Sequence, residues 1–123
     1  MLRAGRALLL RDARMGTHLW FVLTDPDPDR MVLVMLVTER AHTDRTLRLV
    51  VGDHPFIRHP SAVDFGTATY FPAARLEEAL SSGRATLAAD MSPELLAQVQ
   101  TGLLTSARTP NAIAAYCRLK FQL

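Results

Sequence analysis

The sequence predicts an α+β fold, an antiparallel β-sheet followed by C-terminal helices, in a single domain over residues 1–123. Three observations predict it. Up to Pro72, short apolar or alternating runs are separated by breaks rich in Gly, Pro and Asp, as strands are separated by turns. Beyond Pro72 the apolar residues recur at helical spacing. Strands then give way to helices without alternation, which argues against a doubly wound parallel sheet. The sheet is expected over about residues 5–72 and the helices over about 73–120.

Ala7 to Leu10 is a short apolar run that reads as a first strand, although Arg3 to Met15 can also be drawn as a weak helix. The stretch His18-Leu-Trp-Phe-Val-Leu-Thr24 is rich in the aromatic and β-branched residues that suit a buried strand. Asp25-Pro-Asp-Pro-Asp-Arg30 interrupts it with two prolines and turn-prone aspartates, which places it at a hairpin tip. Met31 to Thr38 is almost wholly apolar and predicts a central strand covered on both faces. Thr46 to Val51 alternates and reads as a half-buried strand. Gly52 to Ser61 is a loop, and Val63 to Tyr70 is the last strand, with a bulge at Gly66.

Helices follow. Ala73 to Leu80 is short, and Ser81-Ser-Gly83 ends it. Ser92-Pro93-Glu94 has the grammar of a helix start: a serine N-cap, proline at the first helical position and an acid in the first turn. Leu95, Leu96, Val99 and Leu103 then lay one face on the core. Thr109-Pro110 repeats the start signal for a last helix striped with Ile113, Tyr116 and Cys117.

Composition narrows the function classes. With 49% hydrophobic and 21% charged residues, the chain is globular rather than disordered. No apolar run approaches the roughly 20 residues that span a bilayer, so no membrane partner is expected. The longest runs are also too short for a secretory signal, and the Arg-rich start lacks the serines of a transit peptide. Cys117 is the only cysteine, which excludes an intrachain disulfide and makes a reducing, cytoplasmic setting the default. The formal net charge of +2 is unevenly spread. Arg3, Arg6, Arg11 and Arg14 stand against Asp12 in the first 16 residues, and the remainder is slightly acidic. A basic footprint for nucleic acid therefore has to be built by local clustering. All basic residues but Lys120 are arginine, which fits either a GC-rich genome or phosphate recognition by planar guanidinium forks.

Two metal readings each lack part of the ligand set they need. Asp25-x-Asp27-x-Asp29 imitates the start of a calcium loop, but Arg30 replaces the glycine and Leu36 the closing glutamate. A zinc site drawn from His54, His59, His18 or His42 has zinc-finger spacing between His54 and His59 but no paired cysteines. No metal and no cofactor is expected. The densest polar constellation is the loop from Gly52 to Ser61, with Asp53, His54, Arg58, His59 and Ser61. Histidine and arginine together can bind a phosphate and move its protons near neutral pH. The same residues can equally cap turns and anchor the loop, with Phe56 and Ile57 plugging the core. Nucleophile elbows and phosphate-cradling glycine loops are absent.

Several of these segments, in this order, resemble the PemK/MazF group of toxin ribonucleases. The strand after Gly5 is similar to the family's opening G-x-[VI]-[VL] segment. His18 to Thr24 is similar to its R-P-x-[VI]-[VI]-L-[ST] strand, and Met31 to Thr38 to the strand ending in P-[LI]-[TS]. Gly52 to Ser61 resembles a divergent branch carrying G-x-H-P-F-I-x-x-x-S. The likeness covers roughly residues 5–72.

The resemblance implies a small SH3-like antiparallel β-barrel with appended helices, and metal-independent cleavage of single-stranded RNA by attack of the ribose 2′-hydroxyl. Carried over by position, the family's active-site threonine falls on Thr38 and its arginine on His18, with Leu19 where the family has proline. On this reading His18, Thr38 and His54 are catalytic, and Arg58, His59 and Ser61 bind the RNA phosphate. The implied partners are single-stranded RNA, an acidic cognate antitoxin and a second copy of the chain, with Trp20 and Tyr70 as interface or core aromatics. The arginine-to-histidine departure and the slightly acidic body favour an alternative, a non-catalytic module on the same barrel that binds nucleic acid or protein. A bare structural domain is the third reading.

Overall fold

The computed structural model describes residues 1–14 and 16–121. The chain forms strands β1 (Ala7–Asp12), β2 (Gly16–Val22), β3 (Arg30–Thr38), β4 (Arg48–Leu49) and β5 (Ser61–Pro72). Helix α1 (Ala73–Ser82), strand β6 (Ala85–Leu87) and helices α2 (Pro93–Thr105) and α3 (Asn111–Lys120) complete it. The fold is α+β. Every strand pair is antiparallel, in the order β4-β5-β3-β2-β1-β6. Strands β4 and β6 are the two edges and do not pair among the described residues, so the sheet is open rather than closed into a barrel. The helix drawn from Arg3 does not form; its last residue, Met15, lies outside the described residues.

Side-chain alternation sorts the sheet into two faces. Ala7, Phe21 and Val34 lie opposite one another across β1, β2 and β3, and they join Leu95, Val99, Leu103, Ile113 and Cys117 in the larger core. Leu8, Val22 and Leu33 point the other way and pack with Leu76 of α1. Helices α2 and α3 thus cover one face, and α1 covers part of the other. The all-apolar β3 is buried from Met31 to Leu36 because it is covered on both sides.

Strand β5 carries the expected bulge at Gly66. On β3, Val34 alone spans the interval that residues 65–68 occupy on β5. The Thr67 hydroxyl closes this bulge by accepting from the Met35 N–H at 3.0 Å and donating to the Asp64 carbonyl at 2.6 Å.

Three local expectations change. The strand expected over Thr46 to Val51 shrinks to Arg48–Leu49. The Thr46 N–H and hydroxyl both bond to Asp44 Oδ1, and the Val50 N–H bonds to Asp53 Oδ2, so side chains take donors that a longer ladder would use. Thr109 does not cap α3, since its hydroxyl donates to the Leu103 carbonyl at 2.7 Å. Strand β6 has no counterpart in the sequence reading; it forms by pairing Ala85 to Leu87 with Leu10 to Leu8 of β1. By contrast Ser92 caps α2, accepting from the Leu95 N–H at 3.0 Å. Gly83 ends α1 in the left-handed conformation (φ 83°). Among the described residues no helix is long and apolar enough to cross a membrane.

Candidate functional site

His18 sits near the start of β2, in phase with Trp20 and Val22, and so points to the α1 face. Helix α1 does not cover that face completely. Between it and the β1–β2 hairpin lies an open cleft of about 370 Å³. Trp20, Met35 and Phe71 form its apolar floor, and Arg11, Arg75 and Arg84 are among the residues that line it beside His18.

The floor is built by register. Leu8, Trp20 and Met35 lie across β1, β2 and β3, and Phe71 meets Trp20 edge-on with centroids 5.3 Å apart. The cations come from three different elements. Arg11 lies on β1 one residue past Leu10, the cross-strand partner of His18, in phase with Ala7 and Leu9 of the other face, so it meets the cleft at its rim. Arg75 lies on α1, and Arg84 just before β6. Arg84 is paired with Glu78 at 3.1 Å and also donates to the Ser82 hydroxyl. Arg11 and Arg75 make no ion pair among the described residues. Asp12 lines the cleft as well, its Oδ1 accepting from the Arg14 N–H at 2.7 Å. The cleft is therefore cationic over an apolar floor, with an imidazole at its side.

The other expected site residues lie elsewhere. Thr38 is in phase with Val34 and Leu36, residues of the larger core, and lines a separate cleft with Arg40, His42, Asp64 and Arg108. His54 is buried beneath the Gly52–Ser61 loop at 3% exposure. Its Nε2–H donates to the Ala89 carbonyl at 2.7 Å and its Nδ1 accepts from the Phe56 N–H at 3.1 Å. These two bonds assign the tautomer and leave neither ring nitrogen free. The ring also packs edge-on to Phe21 in the larger core. Arg58, His59 and Ser61 share a shallow cleft with Phe56 and Ile57, and the Ser61 hydroxyl donates to the His59 carbonyl at 2.9 Å. Thr38 and Ser61 are cross-strand neighbours on β3 and β5, but His18, Thr38 and His54 are not brought into one cleft.

Around Thr38, two of the charged residues that line its cleft, Asp44 and Arg108, have partners. Arg108 donates to the His42 carbonyl at 3.0 Å. Burial raises the proton affinity of Asp44, but bonds from Ser106 and Thr46, with Arg108 nearby, outweigh it and hold the carboxyl below its ordinary range. Among the described residues, no group of three or more His, Cys, Asp and Glu is placed to hold a metal ion.

No protein-family model matches the chain, and a search of curated proteins returns no significant match.

Arg11, Arg75 and Arg84 carry no local signature in the sequence, being spread over more than seventy residues. The one hint was the arginine-rich start to which Arg11 belongs.

Proposed function

We propose that the chain binds single-stranded RNA in the His18 cleft and cleaves it there without a metal, as a divergent relative of the PemK/MazF toxin ribonucleases. The observation that carries this reading is the placement of one imidazole beside Arg75 over an aromatic floor, with Arg11 at the rim and neither arginine in an ion pair among the described residues. Guanidinium groups suit a phosphodiester because they donate in a planar fork, and an aromatic floor suits a base that has left its stack.

In the reaction proposed, the ribose 2′-oxygen attacks the adjacent phosphorus and the bond to the 5′-oxygen breaks. A 2′,3′-cyclic phosphate and a free 5′-hydroxyl result. His18 takes the 2′-hydroxyl proton, and the departing 5′-oxygen takes one from water. Arg11 and Arg75 stabilise the charge that gathers on the phosphate oxygens. The six-stranded antiparallel sheet with a bulged β5 is read here as an opened version of the family's SH3-like barrel. The same relationship implies a cytoplasmic homodimer held in check by an acidic antitoxin.

A second reading has its own support. Thr38 and His54 lie outside the cleft, so the expected catalytic set is not assembled around His18. That favours a module that binds RNA without cutting it.

One experiment separates the two. Purified protein is incubated with a long unstructured RNA in EDTA, beside His18→Ala. Discrete fragments with cyclic-phosphate ends, lost in a folded His18→Ala variant, are the expected result. RNA that is bound but intact at high protein concentration selects the binding module.

A further inference from the structure

The cleft is amphipathic in a way that a phosphate alone does not require. Its arginines can hold a phosphodiester, yet its floor is Trp20, Met35 and Phe71. Trp20 is only partly buried, although most of its neighbours on β2 and β3 are sealed. Its indole N–H is bonded to no acceptor among the described residues and is not closed off from solvent. The ring is thus open to the cleft rather than sealed into the core.

We infer that the cleft holds one unstacked nucleobase on the ring face of Trp20 while Arg75, with Arg11 at the rim, holds the attached phosphate. The ligand class is thus a nucleotide unit of a single strand, recognised by base and phosphate together. This inference rests on the RNA reading above and extends it to the base. It also supplies a reason for single-strand selectivity, because a base stacked in a duplex cannot enter the cleft.

Trp20 is the only tryptophan in the chain, so its fluorescence reports on this cleft alone. The test titrates the protein with uridine and adenosine 5′-monophosphates, with ribose 5-phosphate and with inorganic phosphate. Labelled six-nucleotide RNA is measured by anisotropy in parallel. The nucleotides are expected to change Trp20 emission and to bind several-fold more tightly than ribose 5-phosphate. Trp20→Leu is expected to weaken the hexanucleotide roughly tenfold or more, the usual loss when a stacking side chain is removed. Trp20→Phe keeps an aromatic ring on Phe71, and is expected to recover most of that affinity if Trp20→Leu folds poorly.

Nucleotide and ribose phosphate binding alike, with no emission change, overturns the base assignment. If Arg11→Ala and Arg75→Ala still weaken the hexanucleotide in that case, the phosphate reading survives on its own. A hexanucleotide indifferent to the arginine and tryptophan variants together removes the RNA reading of this cleft, and the inference with it.

Discussion

His54 and Ala89 are joined by a 2.7 Å hydrogen bond from the imidazole Nε2–H to the backbone carbonyl, across 35 residues of sequence. The bond ties the Gly52–Ser61 loop to the segment between β6 and α2. With Nδ1 accepting from Phe56 and the ring edge on Phe21, His54 plugs the sheet from its α2–α3 side. His54→Ala is accordingly expected to cost stability. It orphans a carbonyl and an N–H and leaves a void, a loss of about 1–3 kcal/mol that urea denaturation would read as a lower midpoint. RNA affinity per folded molecule should stay as it was. Unchanged stability with abolished RNA binding would instead make His54 a functional group.

Gly102 predicts a steric effect. A Cβ there would lie 2.6 Å from Cζ and 3.0 Å from Cε2 of Phe65, a fully buried ring at the start of the β5 bulge. Alanine gains up to about 1 kcal/mol in helix propensity over glycine. Overpacking a closed core costs about 1–3 kcal/mol, so Gly102→Ala should be destabilising on balance. Combining it with Phe65→Leu should recover part of the loss, giving a favourable coupling in a double-mutant cycle.

Asp44 predicts an acid limb in the stability profile. Its carboxyl accepts from the Thr46 N–H, the Thr46 hydroxyl and the Ser106 hydroxyl, and its pKa lies below the ordinary 3.8 despite burial. The unfolded chain therefore binds this proton at higher pH than the folded chain does. The contribution is present above about pH 4 and is lost as the pH falls through the folded value. Thermal melts between pH 7 and 3 should show wild type losing more stability than Asp44→Asn, although the variant starts lower. Equal losses would place the acid sensitivity elsewhere.

What could be read from the sequence was what local chemistry decides. Ser92 and Pro93 announce α2 because a hydroxyl cap and a missing N–H suit only that position. The prolines and aspartates after Thr24 mark the β2–β3 hairpin for the same kind of reason. Strand β6 was not legible, because three residues become a strand only by finding the edge of β1. The cleft was hidden more deeply. Its histidine was legible on β2, but its arginines meet only through sheet register and the return of α1 over β1 and β2. The Gly52–Ser61 loop drew attention because its polar residues are adjacent in sequence. Burial then turned its most prominent member, His54, into a structural group.

The RNA reading makes a quantitative prediction about salt. Each phosphate neutralised on a single strand releases counterions and adds roughly −0.7 to the slope of log affinity against log salt concentration. Among the described residues Arg11 and Arg75 make no ion pair, whereas Arg84 is already paired with Glu78. A hexanucleotide is then expected to show a slope of about −1.4 from this cleft. Arg11→Ala and Arg75→Ala should each flatten it by about 0.7, and Arg84→Ala by less. Arg48 makes the control, because it sits on β4 at the far edge of the sheet and is paired with Glu39. Anisotropy titrations between low and physiological salt would measure all four variants. A slope that Arg48→Ala flattens as much as Arg75→Ala would move the RNA off the His18 cleft and onto the opposite edge of the sheet.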